Sequence, residues 1–260
     1  MNFYLLDKAG RTQCVDCGNK FIRDEDNNYW YVKNKPGSKN EEKRDYLAYL
    51  IGKDFANIPE VKLLDNCDIE KIKELKILEN ANNENTFLVK CCNTYSVSKL
   101  PCSDIDSSVA RELLYSLWIG RRDADLKNRI YLNNVTHMFF DFQTAFLGEC
   151  TLSNMNNILS HEQIKSWSIK ILKNYKCLET ERTKYDNKSG CINFISSMDE
   201  FMNQVDIVKN ILISKNNNLE SDICKTRFSK EDSDKIKFFL NNNMKEIDNA
   251  VEFLKKIISE

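Results

Sequence analysis

Asp123, Asn128 and Asp141 are three oxygen-bearing side chains spaced five and then thirteen residues apart, in a stretch that begins GRRDADLKN and ends MFFDF. Two short apolar runs, RIYL and THMFF, lie between the last two and read as a hairpin turning through Asn133-Asn134. A two-strand hairpin brings its ends together, so the three oxygens can converge on one spot. Such hard oxygen ligands suit Mg²⁺, which takes one or two carboxylates together with phosphate oxygens and water. A further carboxylate left over could orient a hydroxyl proton, and that division of labour is what phosphoryl transfer from ATP requires. The same residues also suit a duller role, because Asp123 and Asn128 taken alone are equally good as a helix cap and an Asx turn.

The elements that must position them fall into two stretches. Up to about residue 93 the chain reads mostly as strands: FYLL, TQCVDC, KFIRD, YWYVKNK, EVKLL, ELKIL and TFLVKCC. Gly18-Asn19 is a tight-turn pair, and DEDNN and ENANNEN are turns. In YWYVKNK, Tyr29, Tyr31 and Lys33 share one face and Trp30 and Val32 the other. A single helix interrupts these strands, with Ser38 and Glu41 at capping-box spacing and Leu47, Leu50 and Ile51 as its apolar stripe. Its Asp45, Ala48 and Gly52 form a small-residue face suited to lying close against a sheet. After a connector at residues 93–104 the chain turns helical. SSVARELLYSLWIG is a helix stopping at Gly120, Ser160 and Ser229 open later helices, and DNKSG and SKNNN break them. The expected fold class is α+β, with a small antiparallel β-rich lobe carrying one helix over residues 1–95 and a mainly helical lobe over 96–260.

Composition narrows the partners. With 38 Lys and Arg against 39 Asp and Glu, the net charge of −1 gives no electrostatic case for nucleic acid. No apolar run reaches the roughly 20 residues that span a bilayer. The start MNFYLLDKAGR lacks the pattern of a signal peptide, so the expectation is a cytoplasmic protein. Ten scattered cysteines do not resemble a disulfide scaffold, and Cys14-x-x-Cys17 has no second half to complete a zinc site. They are expected to be reduced and mostly buried. The wealth of Asn, Lys and Ile suggests an AT-rich bacterial coding bias.

In order and spacing these motifs resemble the protein-kinase-like fold, closest to its atypical HipA-type and phosphoinositide-kinase-like branches. DADLKN (123–128) is similar to their D-x-H-x-x-N loop, and FFDFQTAF (139–146) to the strand entering their metal-binding Asp. YWYVKNK resembles the strand bearing the ATP-binding lysine, and residues 44–61 the helix whose acid pairs with it. The resemblance implies ATP and Mg²⁺ in a cleft between two lobes. It implies Asp123 as the catalytic acid, Asn128 and Asp141 as metal ligands, and Lys33 on the α/β-phosphates with Asp45 as its partner. Glu41 and Glu42 are close rivals of Asp45, and Gly18, Asn19 and Lys20 would form the phosphate loop. The acceptor it implies is a Ser or Thr hydroxyl of a protein. Two departures stand out: Asp125 where these branches have His, and Gln143 where D-F-G has Gly. Asp125 would add either a second metal ligand or repulsion near triphosphate. These departures keep open a pseudokinase, and the fold equally serves small-molecule, lipid or AMP transfer.

Overall fold

The computed structural model of the chain describes residues 3–5, 20–34, 40–76, 78, 81–91, 99–102, 104–121, 128–131, 137–142, 144–146 and 198–259. Strands Phe3–Leu5 (β1), Lys20–Asp24 (β2), Tyr29–Asn34 (β3), Val61–Leu63 (β4) and Thr86–Lys90 (β5) form one antiparallel sheet in the order β1-β2-β3-β5-β4. Alternation along β3 works as its sequence implies. Trp30 and Val32 are buried on one face, in a core with Ile22, Leu88 and Phe3, and this puts Lys33 on the opposite face. The β2–β3 turn is held by Asp24, whose carboxylate accepts from the backbone N–H groups of Asp26 (3.0 Å) and Asn28 (2.8 Å) and from Trp30 Nε1 (2.8 Å).

Between β3 and β4 runs helix α1, Glu41–Gly52. It starts from Asn40, which sits in the left-handed region without a side-chain cap bond; Ser38, expected to cap it, lies outside the described residues. Leu47, Leu50 and Ile51 are buried as expected. The Ala48–Gly52 end of its small-residue face also meets the helix that carries Tyr115, which donates its hydroxyl to the Ala48 carbonyl at 2.5 Å, while Asp45 on the same face reaches Lys33 of the sheet. A Cβ on Gly52 would stand 2.5 Å from Ile58 Cδ1 and 3.1 Å from the Tyr115 ring, so glycine is what lets the two elements touch.

Among its described residues the first half holds two helices where one was expected. Asn66–Glu74 is helix α2, capped by Asp65, which accepts from the Asp68 N–H at 2.8 Å. ELKIL therefore is not a strand: Glu74 closes the helix, and Leu75 with Leu78 packs with the buried Ile69 and Ile72 onto the outer face of the sheet. The period of three from Ile69 through Ile72 to Leu75 is a helical signal that outweighs the apolar run.

Ile105–Ile119 (α3) begins at Asp104, which accepts from the Ser107 N–H at 2.7 Å, and ends at Gly120 with φ +66. The expected hairpin is present as Arg129–Tyr131 (β6) paired with His137–Phe139 (β7). Among the described residues Met198–Asn216 (α4), Leu219–Cys224 (α5) and Lys230–Ser259 (α6) follow, the last opened by Ser229 accepting from the Asp232 N–H. Phe201, Val205, Val208 and Leu212 of α4, with Ile236 and Leu240 of α6, share one core with α3 and with Leu47, Ala48 and Ile51 of α1. Of the four described cysteines Cys102 is buried, Cys91 is half-buried and Cys67 and Cys224 are exposed; the other six lie outside the described residues. Among the described residues no helix is long and apolar enough to cross a membrane.

Candidate active site

Lys33 is the centre of the site. Its Nζ lies 3.2 Å from Asp45 Oδ2 and 3.0 Å from Asp141 Oδ1, joining the sheet, helix α1 and the segment after β7 across 108 residues of sequence. Neighbouring strand β5 supplies a floor, because Lys33 pairs in register with Phe87, whose ring centroid is 5.5 Å from the ammonium. Burial works against the charge on Lys33, but the Asp45 and Asp141 carboxylates outweigh it and hold the amine well above the usual lysine range. Lys33 is therefore a permanent cation here. Its stabilising contribution is fully present below the unfolded-state value of about 10.4 and fades only at higher pH.

Helix α1 presents two acids to this lysine, not one. Glu41 and Asp45 are one turn apart and so share a face. Glu41, Asp45 and Asp141 each place a carboxylate oxygen within 4.8 Å of the others. Asp45 also accepts the Phe142 N–H at 2.7 Å, which fixes the chain just past Asp141 to helix α1. Burial, and the Asp141 charge beside it, push the Asp45 carboxyl up against the pull of Lys33, as expected where several acids share one ammonium.

Asp141 has φ +67, a conformation that L residues seldom adopt. Arg121 holds it there. This arginine is fully buried, donates Nη2 to the Phe140 carbonyl at 2.7 Å and Nε to the Asp141 carbonyl at 3.3 Å, and pairs through Nη1 with Glu112 at 2.9 Å. Its guanidinium also lies over the Phe139 and Phe142 rings, 5.5 and 5.4 Å from their centroids. Nothing in the sequence singled out Arg121 from the basic pair it belongs to; Glu112, on the preceding helix with its charge facing inward, is the signal that could have done so. Asn57 was also unforeseen. Its carbonyl accepts from the Phe139 N–H at 3.1 Å, while its side chain exchanges hydrogen bonds with the backbone of Cys102 and reaches Ser108.

Asn128 is buried at the start of the hairpin, and its carbonyl accepts from the Phe140 N–H at 3.0 Å, next to Asp141. The fold thus brings Lys33, Asp45, Asn128 and Asp141 to one region. Lys20 opens β2. Asp123, Asp125, Gln143, Gly18 and Asn19 lie outside the described residues.

In its three-dimensional fold the chain is similar to a solved structure of a Helicobacter pylori proinflammatory kinase, CtkA, with 13% identity and a TM-score of 0.53 over 98% of this chain and 96% of that one. No family model and no curated protein matches the sequence. The fold is kinase-like: an antiparallel sheet with helix α1 inserted between its third and fourth strands, followed by a mostly helical part.

Proposed function

We propose that the chain is an ATP- and Mg²⁺-dependent phosphotransferase of two lobes, divided near residue 95, of the atypical HipA-type or phosphoinositide-kinase-like kind. The observation that carries this reading is the single lysine ion-paired to both a helix acid and the acid that follows the hairpin. The donor set fits the ligands. Asp141 and Asn128 offer the hard oxygens Mg²⁺ takes, and Lys33 offers a permanent cation to phosphate oxygens.

Lys33, oriented by Asp45, holds the α/β-phosphates, and Gly18, Asn19 and Lys20 serve as the phosphate loop. Asn128 and Asp141 hold the metal, which when bound neutralises charge that develops on the phosphates. Asp123 accepts or orients the proton of the acceptor hydroxyl, a Ser or Thr of a protein. Arg121 and Asp45 keep Asp141 in its left-handed conformation, so the metal ligand is set before anything binds.

ATP labelled at the γ- or the α-phosphate tests this. The γ-label should pass to protein, and Asp123→Asn should reduce that transfer by a hundredfold or more while leaving nucleotide binding intact, in the range of lost acid–base catalysis, roughly 10²–10⁴. Transfer at the parent rate by Asp123→Asn contradicts the assignment. Asp125 and Gln143 favour a second reading, a nucleotide-binding pseudokinase, for which neither label transfers; an α-label on protein would mean AMP transfer.

A further inference from the structure

Lys33 answers only part of the negative charge around it. Three carboxylates converge on one ammonium, so acids outnumber the lysine within the cluster, and Arg44 acts on Glu41 and Asp45 through space. Glu41 is the unsettled member. It is 3% exposed, and its Oε1 is buried without a hydrogen-bond partner. An ionised carboxylate buried in that state is costly unless a proton or a cation completes it. Asp45 and Asp141 already have Lys33, and Asp45 has the Phe142 N–H as well. The unsatisfied oxygen therefore belongs to the one acid that Asp45 and Asp141 leave over.

We infer that Glu41, Asp45 and Asp141 form a divalent-cation site that works without nucleotide, and that the Lys33 ammonium occupies it when no ion is present. A set of three carboxylates suits a hard cation such as Mg²⁺ or Mn²⁺. A dication suits a cluster where carboxylates outnumber the ammonium, and it brings Glu41, which the ammonium leaves unbonded, into the ligand set. Ion and ammonium then compete for Asp45 and Asp141, so filling the site releases Lys33 from both acids. This differs from the Asn128–Asp141 pair assigned above: it draws its other ligands from helix α1, and it stands whether or not the chain transfers phosphate.

Mn²⁺ alone, titrated into the full chain without nucleotide and followed by electron paramagnetic resonance, tests the site. The wild-type chain should bind Mn²⁺. Glu41→Gln, which keeps the shape of the side chain, should weaken binding roughly tenfold or more, at least what disturbing a metal's surroundings costs. Lys33→Met should tighten it several-fold, because the competing cation is gone. Melting curves without metal establish that each variant is folded. No Mn²⁺ bound by the wild-type chain at millimolar concentration overturns the inference, as does unchanged affinity in Glu41→Gln, or unchanged or weaker affinity in Lys33→Met. γ-Phosphate transfer by the wild-type chain, measured on the same samples, keeps the two proposals apart: its absence with Mn²⁺ binding intact contradicts the phosphotransferase alone.

Discussion

Lys33 and Arg121 grip the same short segment, one by the side chain of Asp141 and the other by the backbone of Phe140 and Asp141, yet their surroundings are opposites. Among the described residues Arg121 faces one acid, Glu112; both side chains are wholly excluded from solvent, and further guanidinium donors reach Ser116 and two carbonyls. Lys33 faces three acids, and the Asp141 side chain keeps 20% of its surface open. A balanced, closed pair has nothing left to offer a ligand and holds shape. An open cluster with surplus charge and an unsatisfied carboxylate is arranged for something to arrive. The difference separates the frame of the site from its working surface.

The comparison breaks first at Glu112. Glu112→Ala leaves the Arg121 charge buried without its partner and should cost about 3–5 kcal/mol of unfolding free energy in urea titration. A loss below 1 kcal/mol would mean that the pair is not the frame. Asp45 sharpens the contrast from the other side. Asp45→Ala leaves Lys33 with Asp141 but strands the buried Phe142 N–H, for an expected cost of about 1–3 kcal/mol. Asp45→Asn, which still accepts that N–H, should recover most of the stability. If Asn is no better than Ala, the bond to Phe142 is not what Asp45 contributes to stability.

Asp24 gives the smallest effect and a third way to bury an acid, with no cation in contact. Burial raises its carboxyl, but the Trp30 and Asn28 donors outweigh that and hold it below the usual carboxylate range. Its contribution is therefore present above the unfolded value of about 3.9 and is lost as pH falls through the lower folded value. Asp24→Asn should lower stability by about 1 kcal/mol at pH 7 and less at pH 3, read from urea unfolding at the two pH values. An equal loss at both would contradict this account of the turn.

Much of this was legible in the sequence because it rests on local pattern. The alternation in YWYVKN fixes which way Lys33 points, Gly120 ends α3, and Asn133-Asn134 separates two strands that pair. Helix α2 was misread because ELKIL is apolar enough for a strand, while its helical period shows only when Ile69 and Ile72 are read with Leu75. Arg121 and Asn57 were invisible for another reason: their partners lie on other elements, and no local pattern marks a side chain that bonds to distant carbonyls. Glu41 stood among the candidates beside Asp45, but only the fold reveals that both reach the cluster.

The most direct test of the site is the melting temperature of the chain with and without Mg-ATP, compared between the wild type and Asp141→Ala. Ligand that binds only the folded state stabilises it, by about 2.7 kcal/mol at a hundred times its dissociation constant. The wild type should melt several degrees higher with Mg-ATP, and Asp141→Ala, still folded, should lose that rise. An undiminished rise in Asp141→Ala, or none in the wild type, would contradict a nucleotide site built around Lys33 and Asp141.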